Sequence, residues 1–378
     1  CSFLHAPHSR ERLNISRKMF LSVLSYHQVM PSFLDFMFSY GRQQHAQDFH
    51  FSGFRHESRL AVADRGLIVP ELDRSGRRIQ LCYSLRSVET SSSQPKWPWS
   101  VRQLALYHSF DLESGKSTWI VVKGDQLMKN RLMSATKSPN VKDLRCFGSL
   151  HDSFSSALAT HLLYCDWSAE NWRWYINFLE EQVQDITRRT VDVTVSKPVD
   201  PVKAIAPFSK SLKMLFHSNK KSRTFTFGRK NTHPQQITPI PLSTVQTVPV
   251  GPPAPPQRPP EPIDENSEND QEGFSFGDLQ RIQFIEEKAN ETLLVLKTNA
   301  NVLAELRDYY SSMMKSEDCP QDLRQQCKGS FARFESRVGS VQHDLLMQQS
   351  RLETLLRLLG DRKTLVCHFV LHPFPIIC

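Results

Sequence analysis

Twice in the last third of the chain, mostly apolar residues recur in alternating steps of three and four. The first run is Leu279, Ile282, Glu286, Ala289, Leu293, Leu296, Ala300, Leu303, Arg307 and Tyr310. The second is Cys327, Phe331, Phe334, Val338, Val341, Leu345, Gln348, Leu352, Leu355 and Leu359. That spacing is the seam of a helix buried along its length, so residues 274–363 are expected to form long coiled-coil helices. The helical segment around each run is about 40 residues, hence about 60 Å at 1.5 Å per residue. A seam of this size must find another helix. Pro320, between the runs, either folds them into an antiparallel hairpin or kinks one long stalk.

The formal net charge is +8, and its location matters more than its size. Nine basic residues lie between Ser196 and His233 against the single acid Asp200, which leaves about zero for the rest of the chain. Eleven of the 23 prolines follow, between Pro234 and Pro262, and an acidic run from Asp264 to Glu272 comes next. Like charge with few apolar residues, then a proline tract, reads as a disordered linker over 196–273. Trypsin is expected to cut first between Lys197 and Lys230. Such a basic segment can meet an anionic membrane surface, with Leu212, Met214, Leu215 and Phe216 as anchors. No specific nucleic-acid binding is expected, because no known module interleaves these charges with aromatics.

Residues 1–195 hold all six tryptophans, so a core belongs there. Arg17 to Val29 has a helical pattern that stops before Pro31, with an aromatic-rich continuation from Ser32 to Tyr40. Ile79 to Tyr83, Leu104 to Leu112 and Thr118 to Val122 read as strands. Glu113-Ser114-Gly115-Lys116 is the turn of a hairpin between the last two. Asp152 to Tyr164 reads as a helix. Ser168 is the expected N-cap of another, which puts Trp172, Tyr175, Ile176, Leu179, Val183 and Ile186 on one face. The mixture makes an α/β or α+β domain.

The sequence carries no phosphate-binding glycine loop, dinucleotide fingerprint, zinc-protease helix or nucleophile elbow, and no enzyme is expected. His45, His50 and His56 are spaced by five and six residues, which suits neither a helix nor a strand for converging metal ligands. Cys146 and Cys165 read as small core residues rather than nucleophiles. Glu180-Glu181 and Glu286-Glu287 read as solvated helix faces, or as weak holders of a hydrated divalent ion. Catalytic and cofactor-binding residues are thus none, and metal ligands are unknown. Eight cysteines without a C-x-x-C pair indicate reduced thiols. No run reaches the ~18–20 apolar residues of a membrane helix, so the polypeptide as written is expected to be soluble and cytoplasmic.

Several stretches are distinctive as a set. They are Phe20 to Met30 with Phe33-Leu-Asp-Phe, Phe51-Ser-Gly-Phe-Arg55, Gly76-Arg-Arg-Ile-Gln-Leu-Cys-Tyr83 and Trp119-Ile-Val-Val-Lys-Gly124. His161-Leu-Leu-Tyr-Cys-Asp-Trp167 with Trp172-Arg-Trp-Tyr-Ile176 adds to them, as do Leu279 to Tyr310 and Arg351 to Lys363. Together they resemble the fungal CorA-like transporter-domain proteins. The resemblance implies a cytosolic α/β domain and stalk helices leading to two membrane helices. It also implies homo-oligomers through the C-terminal helices, and Mg²⁺ or a similar divalent cation as transported or regulatory ion. The family's Gly-Met-Asn signature is missing, and no ion-binding residue carries over to this sequence. The resemblance ends near Lys363, so 364–378 is expected to be an irregular tail and the chain to stop short of a pore. A soluble scaffold with a proline-rich tether is the rival reading.

Overall fold

The computed structural model describes residues 1–6, 11–42, 51–92, 95–137, 144–192 and 276–371. The expected linker over 196–273 lies outside these residues. Five strands form one sheet in the order β1-β5-β4-β3-β2. They are β1 (Ser2–His5), β2 (Phe54–Arg59), β3 (Arg78–Thr90), β4 (Trp99–Asp111) and β5 (Ser117–Lys123). From β2 to β5 the sheet is an antiparallel meander, and β1 joins β5 in parallel.

The meander follows from local chemistry. Both faces of β3 and β4 are buried over most of their length, as in a strand covered on two sides. The β4–β5 turn lies at the expected residues. Asp111 accepts the amide protons of Glu113 and Ser114 at 3.0 and 2.9 Å, and Gly115 takes a φ of +72° that a side chain would disfavour.

One face carries Cys82, Ala105, Tyr107, Ile120 and Val122 under α1 (Arg17–Tyr26) and α2 (Phe33–Met37). The other carries Ile79, Leu81, Tyr83, Leu85, Leu106 and Phe110 under the remaining large helices. These are α4 (Leu150–Ala169), α5 (Trp172–Asp192) and the C-terminal pair; α3 (Leu127–Lys137) precedes α4. The expected face of α5, from Trp172 to Ile186, is fully in the core. Ser168 is not its N-cap. It sits inside α4, donating its hydroxyl to the Cys165 carbonyl at 2.7 Å, and the chain turns at Asn171 with φ +65° instead.

The two seam runs form α6 (Phe276–Lys315) and α8 (Lys328–Leu371), joined through the short α7 (Gln321–Gln326). Lys363 pairs with Glu286 at 2.8 Å and Arg307 donates to Gln342 at 3.0 Å, so the helices run antiparallel. Of the alternatives at Pro320 the chain takes the hairpin. Helix α8 also continues through residues 364–371, where an irregular tail was expected.

The described residues up to Ile186 and from Phe276 onward gather into one compact unit, so the hairpin is no free-standing stalk. A second stripe on α6, beside the seam, accounts for this. Thr292, Val295, Asn299, Val302, Leu306, Tyr309 and Met313 are all buried, again in steps of three and four. Tyr309 meets Ser58 of β2 at 2.6 Å, and Asn299 meets β3. The Asn299 amide accepts from the Arg86 N–H at 3.0 Å and donates to the Arg86 carbonyl at 2.6 Å. β2 pairs with β3 only as far as Tyr83, so Asn299 closes backbone that no strand covers. A buried N–H and C=O left without partners cost about 1–3 kcal/mol each. Asn299→Leu is therefore expected to lower unfolding free energy by about 3 kcal/mol in urea titration. A loss below ~1 kcal/mol would mean that the amide adds nothing to the closure.

Candidate functional site

The most polar part of the core lies where the sheet, α4 and α6 meet. His108 of β4 occupies the same alternation register as Leu104, Leu106 and Phe110, and therefore points into the core. His161 sits on the inner face of α4. Both imidazoles are completely buried. His161 Nδ1 is hydrogen-bonded to the Tyr83 hydroxyl at 2.7 Å, and its Nε2 faces His108 Nδ1 at 3.1 Å and the Tyr310 hydroxyl at 3.0 Å. His108 Nε2 reaches the Ser117 hydroxyl at 3.0 Å, and its ring stacks on Trp119 with centroids 3.9 Å apart.

A chain of groups from β5, β4, α4, β3 and α6 is thus linked through two neutral rings. Burial pulls His108 down to about 3, and pulls His161 well below the ordinary histidine range with a smaller push from His108. Burial likewise raises the Tyr83 and Tyr310 hydroxyls. Every member is neutral near pH 7. This is a rigid polar clamp on the hairpin. His108 approaches the Ser117 hydroxyl as a general base would, but a group this hard to protonate is a poor one.

A second cluster lies at the other end of β5. Lys123, almost fully buried, is held between Asp125 at 2.5 Å and Glu89 at 3.1 Å, and Glu89 also accepts from the Trp167 indole N–H at 3.0 Å. Burial on its own would raise Asp125, but the Lys123 hydrogen bond and charge hold it below its ordinary value. Several of the stretches that carry the family resemblance meet in these two clusters, Tyr83, Trp119, His161 and Tyr310 in the first and Lys123 and Trp167 in the second. They specify a core.

The residues singled out from sequence do not form a site of their own. His45 and His50 lie outside the described residues. His56 is exposed on β2 and packs its ring on Tyr309 at 4.7 Å. Cys165 is buried, and burial raises its thiol, whereas Cys146 is exposed and so is no core residue. The glutamate pairs are not simply solvated. Arg351 of α8 grips Glu180 through two hydrogen bonds at 2.8 and 2.5 Å, and Lys363 holds Glu286, while Glu181 and Glu287 carry no such pair among the described salt bridges. Among the described residues no three His, Cys, Asp or Glu side chains come together to hold a metal ion. No described helix is long and apolar enough to cross a membrane.

A search among curated proteins finds no match. A family model for CorA-like transporters matches residues 1–191, half of the chain. That span includes the whole sheet, α4, α5, both buried histidines and the Lys123 cluster. On that match, the chain belongs to the CorA-like transporter family.

Proposed function

We propose that the chain serves a divalent-cation transporter of magnesium type, of the fungal kind its motifs resemble, as the part that lies outside the bilayer on the cytosolic face. The observation that carries this reading is the family match over residues 1–191, which hold the entire sheet and the helices before the C-terminal pair. The role is one of transport rather than catalysis, with Mg²⁺ or a similar ion as cargo or regulator. The basic residues between Ser196 and His233 would add attraction to anionic lipid. Self-association, where it occurs, cannot draw on Leu345, Leu352, Leu355 and Leu359, which are already buried within the chain. It would use outer faces such as the one where Leu346 and Met347 are exposed.

The test is cellular. Disruption of the encoding gene should lower divalent-cation uptake, magnesium most, with monovalent uptake unchanged, and the protein should sediment with membranes. Unchanged uptake together with a protein recovered only in the supernatant would remove the transport reading and leave that of a scaffold.

A further inference from the structure

A cleft of about 280 Å³ opens where β3 and β5 begin and β4 ends, beside the C-terminal end of α1. Arg78, Ser109 and Thr118 form its floor from three adjacent strands, Arg74 and Lys116 flank it, and the C-terminal end of α1 supplies Tyr26 and His27. The cations come from separate segments and are only partly satisfied by carboxylates. Arg74 donates to the Tyr26 carbonyl at 2.6 Å and lies over the Tyr26 ring, and Arg78 donates to the Gln28 side-chain oxygen at 2.8 Å. Lys116 alone has an acid, Asp73 at 2.6 Å, and this pair is exposed on both sides. Exposed pairs of this kind are worth little and exchange readily.

Two carboxylates also line the cleft, and neither fills the need. The Asp111 oxygens accept from the amides of Glu113 and Ser114 in its own turn, and from the amide and hydroxyl of Ser75 before β3. Glu71 is exposed. Three cations and two carboxylates line the cleft. Burial first, and then the neighbouring Arg74 charge, lower His27; burial lowers Arg78, where Tyr107 and Glu57 oppose the push of Arg74 and Arg59. Finally, His27 Nδ1 is buried without a hydrogen-bond partner, although the ring borders the cleft. A buried polar atom without a partner in a native fold calls for one that the protein does not itself provide.

We propose that this cleft binds an oxyanion of the phosphate class, held by Arg74, Arg78 and Lys116, with the hydroxyls of Ser109 and Thr118 and the His27 ring completing its shell. Guanidinium and ammonium donors with hydroxyls make a phosphate-type donor set, and a tetrahedral oxyanion offers acceptors in several directions at once. The volume is several times the ~30 Å³ share of a water molecule, enough for a phosphate group with bridging waters or a short ester. The phosphate can be free or carried on a lipid headgroup, and the chemistry is the same.

The test uses the full chain in two arms, inorganic phosphate followed by calorimetry and His27 ring-nitrogen shifts, and sedimentation with vesicles with or without phosphatidate. Saturable phosphate binding that moves the His27 nitrogens, or phosphatidate-dependent sedimentation, is expected. Lys116→Gln, an exposed substitution that leaves the fold intact, should weaken whichever is seen about tenfold, the loss expected for one charge-assisted contact. Arg74→Gln should weaken it further. No binding in either arm would overturn the proposal, as would binding that both variants retain or that leaves His27 unmoved.

Discussion

Leu352→Asp is expected to unfold the protein as a whole, not the hairpin alone. Leu352 is fully buried on α8, and the Glu286–Lys363 and Arg307–Gln342 contacts bring it level with Leu296 of α6. Truncating such a leucine already costs about 2–5 kcal/mol, and a carboxylate in its place must be desolvated or protonated besides. The total, about 5 kcal/mol or more, is comparable with the entire stability of a typical domain. The hairpin and the tryptophan-rich sheet share one continuous core, so helical circular dichroism and tryptophan emission should be lost together. Leu346→Asp is the control. Leu346 lies on the same helix but is 43% exposed, and it should change stability by no more than about 0.5 kcal/mol. Loss of helix with unchanged tryptophan emission would show that sheet and hairpin fold separately.

The long helices were legible because a seam declares itself through its period. The second stripe of α6 was written in the same spacing, at Val295, Asn299, Val302, Leu306 and Tyr309, yet it is easily passed over beside a more apolar neighbour. A helix with two adjacent stripes is buried on two sides. That pattern, more than Pro320, separates a hairpin docked on a sheet from a free stalk. Three strands were visible as alternating runs, though β3 extends seven residues past Tyr83. β1 and β2 were not visible. Phe54-Arg-His-Glu-Ser-Arg has one buried residue in six and becomes a strand only because β3 presents an edge to it.

The polar clamp was half legible. His108 interrupts an alternating series at Leu104, Leu106, Phe110 and Leu112, and a polar residue in an apolar register has to find a partner inside. His161 stands out only within a distinctive motif, and Tyr83 there and as the end of an alternating run. Sequence alone could not say that they meet, because their separation of 78 residues is closed by tertiary folding. The glutamate pairs failed for the same reason. A solvated helix face and one facing arginine from a distant helix look identical in one dimension.

Acid should destabilise the fold over a window that the clamp itself sets. Both imidazoles have folded-state values far below the ~6.5 of an unfolded histidine, so between pH 6.5 and about 3 the unfolded chain binds protons that the native chain refuses. Stability from this source is complete above pH 6.5 and falls as pH drops through the window. Each ring contributes up to about 1.4 kcal/mol per pH unit, so the two together remove about 4 kcal/mol between pH 7 and pH 5. The surroundings offer no relief, for the groups bonded to or packed on these rings are Tyr83 of β3, Ser117 and Trp119 of β5 and Tyr310 of α6. None is a carboxylate that could pair with an imidazolium. Urea midpoints between pH 7 and pH 5 measure the fall, and ring-nitrogen spectra should show both imidazoles neutral at pH 5. His161→Gln can keep hydrogen bonds to Tyr83 and Tyr310 without a titrating group, and should remove about half of the acid slope whatever it does to stability at pH 7. An unchanged slope in that variant, or a ring that protonates near pH 6 in the native protein, would place the acid sensitivity elsewhere.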